Sequence, residues 1–261
     1  MFAPLIALTI AQQSLAGNVG LVGDYRFRGI SQTYGQPAIQ AGFEYAPAGG
    51  VYLGTWGSNV SGNQYLNGGS LELDWYGGYR RRAGPLELDA GVLYYWYPKA
   101  RYNVVSGDEY NTTEAYVGVR LHALSAKYSL ALSDLFGMKT STIGGYCGIN
   151  ADGSAASSGC LGGGSSKGST YVDLSATLDI VLRMNLLLHG GRQSVKRYGD
   201  LSYWDYKVAL TKAWAGLTVG VAAVGNDAAS RFYRYTPTTA GSTETEDVSK
   251  PAIVLSVAKT F

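Results

Sequence analysis

The feature that most constrains this chain is a period of two. From Val19 onward apolar and polar residues alternate over runs of about eight to eleven residues, the length of a tilted strand crossing a bilayer, and no convincing amphipathic helix interrupts them. Successive side chains of a strand point to opposite faces. In the first run Val19, Leu21, Tyr25 and Phe27 therefore share one face, and Asp24, Arg26 and Arg28 the other. The split recurs with Ile39, Ala41, Phe43 and Tyr45 against Gln40 and Glu44, and with Leu71, Leu73, Trp75 and Tyr79 against Glu72, Asp74 and Tyr76. It recurs again with Leu86, Leu88, Ala90, Val92, Tyr94 and Trp96 against Glu87 and Asp89, and with Ala115, Val117, Val119 and Leu121 against Glu114 and Arg120. Val172, Leu174, Ala176 and Leu178 oppose Asp173, Ser175 and Thr177, and Trp204, Tyr206, Val208 and Leu210 oppose Asp205 and Lys207. Less regular runs near 51–58, 126–135, 184–193, 217–224 and 253–261 bring the expected strand count to about twelve.

Large apolar groups on one face and ionisable groups on the other imply two different solvents. The charged face would make a poor dry core, which argues against a soluble sandwich. The connections discriminate further, because tight turns at 46–50, 81–85, 122–125, 179–183 and 213–216 alternate with longer polar loops at 29–36, 59–70, 98–112, 136–168, 195–203 and 226–250. Outer-membrane barrels have short periplasmic turns on one rim and long extracellular loops on the other. Within hydrocarbon an open sheet edge has no water to satisfy it, so strands at that depth must pair all the way round. The expected fold is therefore all-β: a closed antiparallel transmembrane β-barrel of about twelve strands in the bacterial outer membrane, with both termini in the periplasm.

Composition sharpens this reading. The chain has 21 Tyr against 6 Phe, 36 Gly, and charged residues at only 15%. Tyr has an apolar body and a wet hydroxyl, which suits the lipid–water boundary. A net charge of +2 with scattered basic residues excludes a nucleic-acid footprint, and a tight turn accounts for the cluster Arg80, Arg81 and Arg82. The first 23 residues carry no charge, but Pro4, Gln12, Gln13, Gly17, Asn18 and Gly20 break them up as a membrane helix. A signal-peptide remnant over 1–16 fits better, with an apolar stretch over 2–10 and small residues at Ser14 and Ala16 for cleavage, although the usual basic leader is missing. Residues 17–261 then form a single barrel domain. Its last strand ends at Phe261, on the same side as Ile253, Leu255 and Val257. Such a terminal aromatic suits recognition by the barrel-assembly machinery.

The segment Gly23-Asp24-Tyr25-Arg26-Phe27-Arg28-Gly29-Ile30-Ser31-Gln32-Thr33, then Gln36-Pro37-Ala38-Ile39-Gln40, then Gly54-Thr55-Trp56-Gly57-Ser58-Asn59-Val60, resembles the TorF-family porins of Gram-negative bacteria. Glu72-Leu73-Asp74, Tyr76-Gly77-Gly78-Tyr79 and the terminal aromatic extend the resemblance over most of the chain, the long loops from Phe136 and from Asn226 excepted. The resemblance implies an outer-membrane location and a channel role.

A barrel acts through its lumen. The candidate pore-lining residues are Asp24, Arg26, Arg28, Glu44, Glu72, Asp74, Glu87, Asp89, Glu114, Arg120, Asp173, Asp205 and Lys207. Acid outnumbers base in this set, which predicts a slight cation preference for a passive channel passing small hydrophilic solutes or ions. The competing expectation is that these charges pair across a filled lumen, since twelve strands lie between small filled barrels and wide channels. Asp24, Arg26 and Arg28 read best as a ladder against Glu44, worth about 0.2–1 kcal/mol per pair. Cys147 and Cys160 fall together in the long Gly/Ser-rich loop and read as a disulfide in an oxidising compartment; with no His nearby, no metal is expected, nor any cofactor.

A barrel-type lipid-modifying enzyme, a hydrolase or acyltransferase built on His with Ser, would need His122 or His189. The first falls in a tight turn, and Ser194 lies on the opposite strand face from the second, so no enzyme is expected. A third class is a structural or adhesive barrel, to which Arg231, Tyr233, Arg234 and Tyr235 beside Glu244, Glu246 and Asp247 would contribute a contact surface. The expected partners are outer-membrane lipid, small hydrophilic solutes or ions, and the assembly machinery.

Overall fold

The computed structural model describes residues 15–236 and 245–261. Twelve long antiparallel strands close into a barrel. They are β1 (Leu15–Val22), β2 (Ala38–Tyr45), β3 (Val51–Asn59), β4 (Leu71–Ala83), β5 (Leu86–Trp96), β6 (Thr112–Leu121), β7 (Leu124–Ala131), β8 (Thr170–Ile180), β9 (Met184–Ser194), β10 (Tyr203–Trp214), β11 (Leu217–Asn226) and β12 (Ala252–Thr260). Each strand pairs with its sequence neighbours. The first and last close the ring, with Asn18 opposite Thr260 and Val22 opposite Ser256. Among the described residues no helix is long and apolar enough to cross a membrane; the crossing is made by strands.

The alternation read from the sequence separates inside from outside. Val19, Leu21, Ile39, Leu53, Leu88, Val117, Leu174, Val208, Val221, Ile253 and Leu255 stand exposed on the outer face. Two sets of exposed aromatics bracket them. Trp75, Tyr94, Trp96, Trp204 and Tyr206 lie toward the long-loop rim, while Phe43, Tyr45, Tyr79, Trp214 and Phe261 lie toward the short-turn rim. An apolar band between two aromatic girdles is the exterior of an outer-membrane barrel. Phe261 fits the lower girdle closely, with its ring 6.3 Å from that of Phe43 in an edge-on contact and laid over Gly17, where a Cβ would approach it to 2.6 Å.

The tight turns fall on one rim, at 46–50, 84–85, 122–123, 181–183 and 215–216. Leu15 and Ala16, the end of the expected leader, already pair with Tyr45 and Glu44 in β1; residues 1–14 lie outside the described residues. Several strand boundaries differ from the sequence expectation. The run predicted through Leu135 stops at Ala131. More consequentially, the alternation predicts a first strand running on to Arg28, whereas β1 stops at Val22 and the chain turns inward.

Candidate functional site

After Gly23 the chain forms a short hairpin in which Arg26 pairs with Ser31 and Phe27 with Ile30. The two turn residues, Arg28 and Gly29, both have positive φ (46° and 81°), the geometry of a two-residue hairpin turn. Gly29 is required twice over: by its φ, and by its approach to the opposite wall, where a Cβ would come within 2.9 Å of the Asp205 Cβ. Asp24 organises the base of the hairpin. It accepts hydrogen bonds from the Ser31 hydroxyl (2.6 Å), the Thr33 hydroxyl (3.1 Å) and Arg26 Nε (2.5 Å).

Asp24, Arg26 and Arg28 therefore do not line a spanning strand, and the expected ladder with Glu44 does not form. Their alternation is real but belongs to a hairpin folded into the barrel. Arg28 instead reaches across the lumen to β6, where Nη2 bonds both Glu114 oxygens (2.7 and 3.0 Å), and to β9, where Nη1 donates to Gln193 Oε1 (2.6 Å). Its guanidinium also lies over the rings of Tyr171 (4.1 Å) and Phe27 (4.7 Å), and Tyr95 donates to the same Glu114 (3.2 Å). Charge-assisted hydrogen bonds from a guanidinium that also lies on aromatic faces are stronger than neutral ones and fix its orientation. Arg26 ties the hairpin to the last long loop, donating to the carbonyls of Lys250 (2.6 Å) and Val248 (3.2 Å). The loop after β3 grips it from the other side through Gln64 to the Ser31 carbonyl (2.6 Å) and Tyr65 to Gln32. Tyr25 and Phe27 then join Trp56, Tyr65, Leu93, Tyr95, Tyr97, Tyr110 and Tyr116 in a buried cluster against the β3–β6 wall. The hairpin is thus a plug across the outer half of the lumen.

Below the plug, the inner faces of β8, β9 and β10 carry a second cluster. Register places Ser175 opposite His189. His189 Nε2 is 2.9 Å from Asp205 Oδ1, and its Nδ1 is 3.1 Å from Ser175 Oγ and 3.4 Å from Asp173 Oδ2. Tyr171 donates to Asp205 at 3.0 Å, and Ser175 to Asp173 at 2.8 Å. A serine, a histidine and an aspartate in contact invite comparison with a hydrolytic triad. Ser175, however, donates its hydroxyl proton to Asp173 and not to His189, and a carboxylate stands at each nitrogen of the His189 ring. The cluster is a polar staple between three strands. The sequence reading missed Ser175 as the neighbour of His189 because only the register brings them together.

Toward the short-turn rim the charges pair between neighbouring walls. Arg80 lies 3.3 Å from Glu44 and 3.8 Å from Asp89, with its guanidinium 4.4 Å over Tyr52. Tyr52 donates to Asp89 (2.5 Å), and Arg82 sits 3.6 Å from Glu87. Lys127 lies over the Tyr116 ring at 3.9 Å. Arg120 lines a cavity of about 270 Å³ with Arg82, Glu87 and His122. Lys207 occupies the inner face of β10, opposite His189. Arg80, Arg82 and Lys127 are inward cations, and His189 an inward imidazole, outside the set expected from the sequence. Arg80 and Arg82 fall where the sequence suggests a turn, yet β4 runs through Ala83 and continues the even-numbered inner face of Glu72 and Asp74. With them in place, most of the apparent excess of acid disappears. The rest of the ring departs from the expected polar lining, since Ala209, Ala222, Val224 and Val254 form a small apolar arc on the inner faces of β10, β11 and β12.

Over the outer mouth the long loops pack into a canopy. Leu135, Leu161, Val195, Tyr198, Leu201 and Phe232 form its core, and Cys147 and Cys160 are disulfide-bonded within it. Lys139 bonds Asp108 (2.7 Å) and holds that carboxyl below the usual carboxylate range. Much of the proposed contact surface is used internally: Arg231 donates to the Gly159 carbonyl (2.9 Å), Tyr233 to that of Leu201 (2.9 Å), and Arg234 approaches Asp247 (3.8 Å). Glu244 lies outside the described residues.

Residues 9–261 match a family model described as a bacterial protein of unknown function, Gcw_chp. No curated protein matches the chain. Among solved structures the chain is similar to a KdgM porin in complex with disordered oligogalacturonate, at 8% identity and a TM-score of 0.51, covering 95% of this chain and 98% of that one. It is also similar to a NanC porin, at 10% identity and a TM-score of 0.50, covering 94% of this chain and 98% of that one. At such identities the likeness is one of fold: a closed twelve-stranded outer-membrane barrel.

Proposed function

We propose that this chain, which belongs to the Gcw_chp family of bacterial proteins of unknown function, is a porin-like channel that passes small hydrophilic solutes or ions across the outer membrane, with the hairpin at 24–33 as its constriction. The observation that carries this reading is the lumen itself. Ionisable side chains from β2, β4, β5, β6, β7, β8, β9 and β10 turn inward within an apolar exterior, the polar lining that a path for hydrophilic solutes needs. The KdgM neighbour, whose structure holds oligogalacturonate, and the resemblance of 23–33, 36–40 and 54–60 to the TorF-family porins support the same class. The reading gives the lumenal His189, held between two aspartates, a structural role and not a catalytic one. Its ion preference is set by the near balance of paired charges plus Glu72 and Asp74, which favours cations slightly.

The test is single-channel recording from the purified full chain in a planar lipid bilayer. Stepwise, ohmic openings are expected, small for a twelve-stranded barrel because the hairpin narrows the path. A barrel that is folded and inserted but silent, both as the native chain and with the hairpin excised, overturns the reading in favour of a structural barrel.

A further inference from the structure

Every lumenal carboxylate described so far has a partner, except two. Glu72 and Asp74, on the inner face of β4, are both 0% exposed. None of their four oxygens, nor the hydroxyl of Tyr25, makes a hydrogen bond of ordinary geometry. The phenols of Tyr25 and Tyr97 approach Glu72 without closing one. Buried polar groups are nearly always satisfied, and an exception calls for an account in terms of strain, function or an unseen partner. Protonation would remove charge from these carboxyls but would still leave their oxygens unbonded. The hairpin's own two cations are committed elsewhere, Arg28 to Glu114 and Arg26 to Asp24.

The surroundings specify what would satisfy them. Tyr25 packs edge-on to Trp56 (5.3 Å) and Tyr65 stacks on Tyr97 (4.4 Å), so aromatic surface adjoins the carboxylates. Aromatic faces attract cations, most strongly when water is excluded. Among the described residues no group of three or more His, Cys, Asp or Glu comes together to hold a metal ion, and a hard divalent cation wants six or more oxygens. A primary ammonium brings three N–H donors in one compact charge and an alkyl stem that lies well against tyrosine rings. We propose that Glu72 and Asp74, with Tyr25 and Tyr97, form a lumenal recognition site for a primary organic ammonium ion. The proposal rests on the lumen being a solute path, and it names the class of solute that path selects. Tyr25 belongs to the hairpin, so the hairpin lids the site, and entry accompanies its release from the wall.

The test is isothermal titration of n-butylammonium chloride into the folded, detergent-solubilised full chain in sodium chloride buffer, beside an Arg28→Ala variant in which the lid is loosened. Saturable binding is expected in both, tighter in Arg28→Ala. Glu72→Gln and Asp74→Asn, which relieve buried charge and so do not endanger folding, each weaken binding by about tenfold or more, and Tyr25→Phe by a smaller factor. Tetramethylammonium, with the charge but no donors, binds more weakly than butylammonium. Absence of saturable heat from both folded proteins, or affinity unchanged in Glu72→Gln and Asp74→Asn, overturns the site; equal binding of tetramethylammonium overturns its assignment to primary amines. Bilayer recording separates the two claims. A barrel that conducts but does not bind loses only the site, and one that binds but never conducts loses the channel.

Discussion

The two halves of the lumen are built on different principles. The outer half is closed by a segment of chain brought in from outside the sheet, and its central ion pair, Arg28 with Glu114, joins residues 86 positions apart. The half toward the short turns is held by groups on the barrel wall itself, such as Arg80 with Glu44 and Asp89, or Arg82 opposite Glu87 in the register of β4 and β5. A plug can leave without unpairing a strand, whereas a wall pair cannot be broken without disturbing the wall. The outer half is thus where conduction can change, and the other half is where the barrel's shape is kept.

The largest test of this contrast is excision. Replacing residues 24–36 by a short Gly/Ser link removes the plug and leaves all twelve strand pairings intact. Single-channel conductance is expected to rise several-fold, while the heat-modifiable electrophoretic shift that reports a folded barrel is retained. Unchanged conductance would mean that the constriction lies elsewhere. Arg28→Ala is the same experiment by one side chain. Removing one partner from a buried pair costs about 3–5 kcal/mol, because Glu114 is left charged and unpaired. That cost falls on the hairpin's docked state rather than on the sheet, so openings are expected to become more frequent and larger with little loss of barrel stability. Glu114→Gln with Arg28 intact keeps the shape, strands the guanidinium instead, and is expected to act in the same direction but less strongly.

What the sequence reveals follows the same division. The outer face was legible because lipid demands an apolar side chain at every second position, and a rule that strict survives in the bare order of residues. The inner side of the wall was legible by default, as the other half of the alternation. The hairpin was not, because a two-residue turn preserves alternation and Asp24-Tyr25-Arg26-Phe27-Arg28 reads identically as a spanning strand and as one arm of a plug. Only Gly29 hinted at the turn, and its meaning depends on the nearness of Asp205, far along the chain. Contacts across the lumen, and the meeting of Ser175 with His189, depend on register and closure, which no local pattern encodes.

On the wall side the expected effects are smaller. Arg80 is partly exposed, and an ion pair at such a site is worth about 1 kcal/mol or less, so Arg80→Ala costs little stability. It leaves Glu44 and Asp89 uncompensated and is expected to shift the reversal potential toward cation selectivity, with conductance nearly unchanged. A shift toward anions would mean that those carboxylates do not face the ion path.

The smallest effect on conduction is expected farthest from the constriction. Cys147 and Cys160 close a 13-residue separation within the canopy loop, and closing a loop of that size restricts the open chain by about 3 kcal/mol in the entropy picture. That restriction serves the loop alone, since neither cysteine lies on a strand or touches the hairpin through any hydrogen bond described above. Cys147→Ser with Cys160→Ser is therefore expected to leave conductance and barrel stability as they were, while a protease added to intact cells cuts between residues 145 and 165 faster than in the native protein. The two readouts bear on the division of the molecule in opposite ways. Faster cleavage with unchanged conductance keeps the canopy a cover and the hairpin the gate. A conductance change of the size seen on excising the hairpin would show that the canopy holds the plug in place, and the boundary between the moving and fixed halves would then have to be drawn through the loops instead of beneath them.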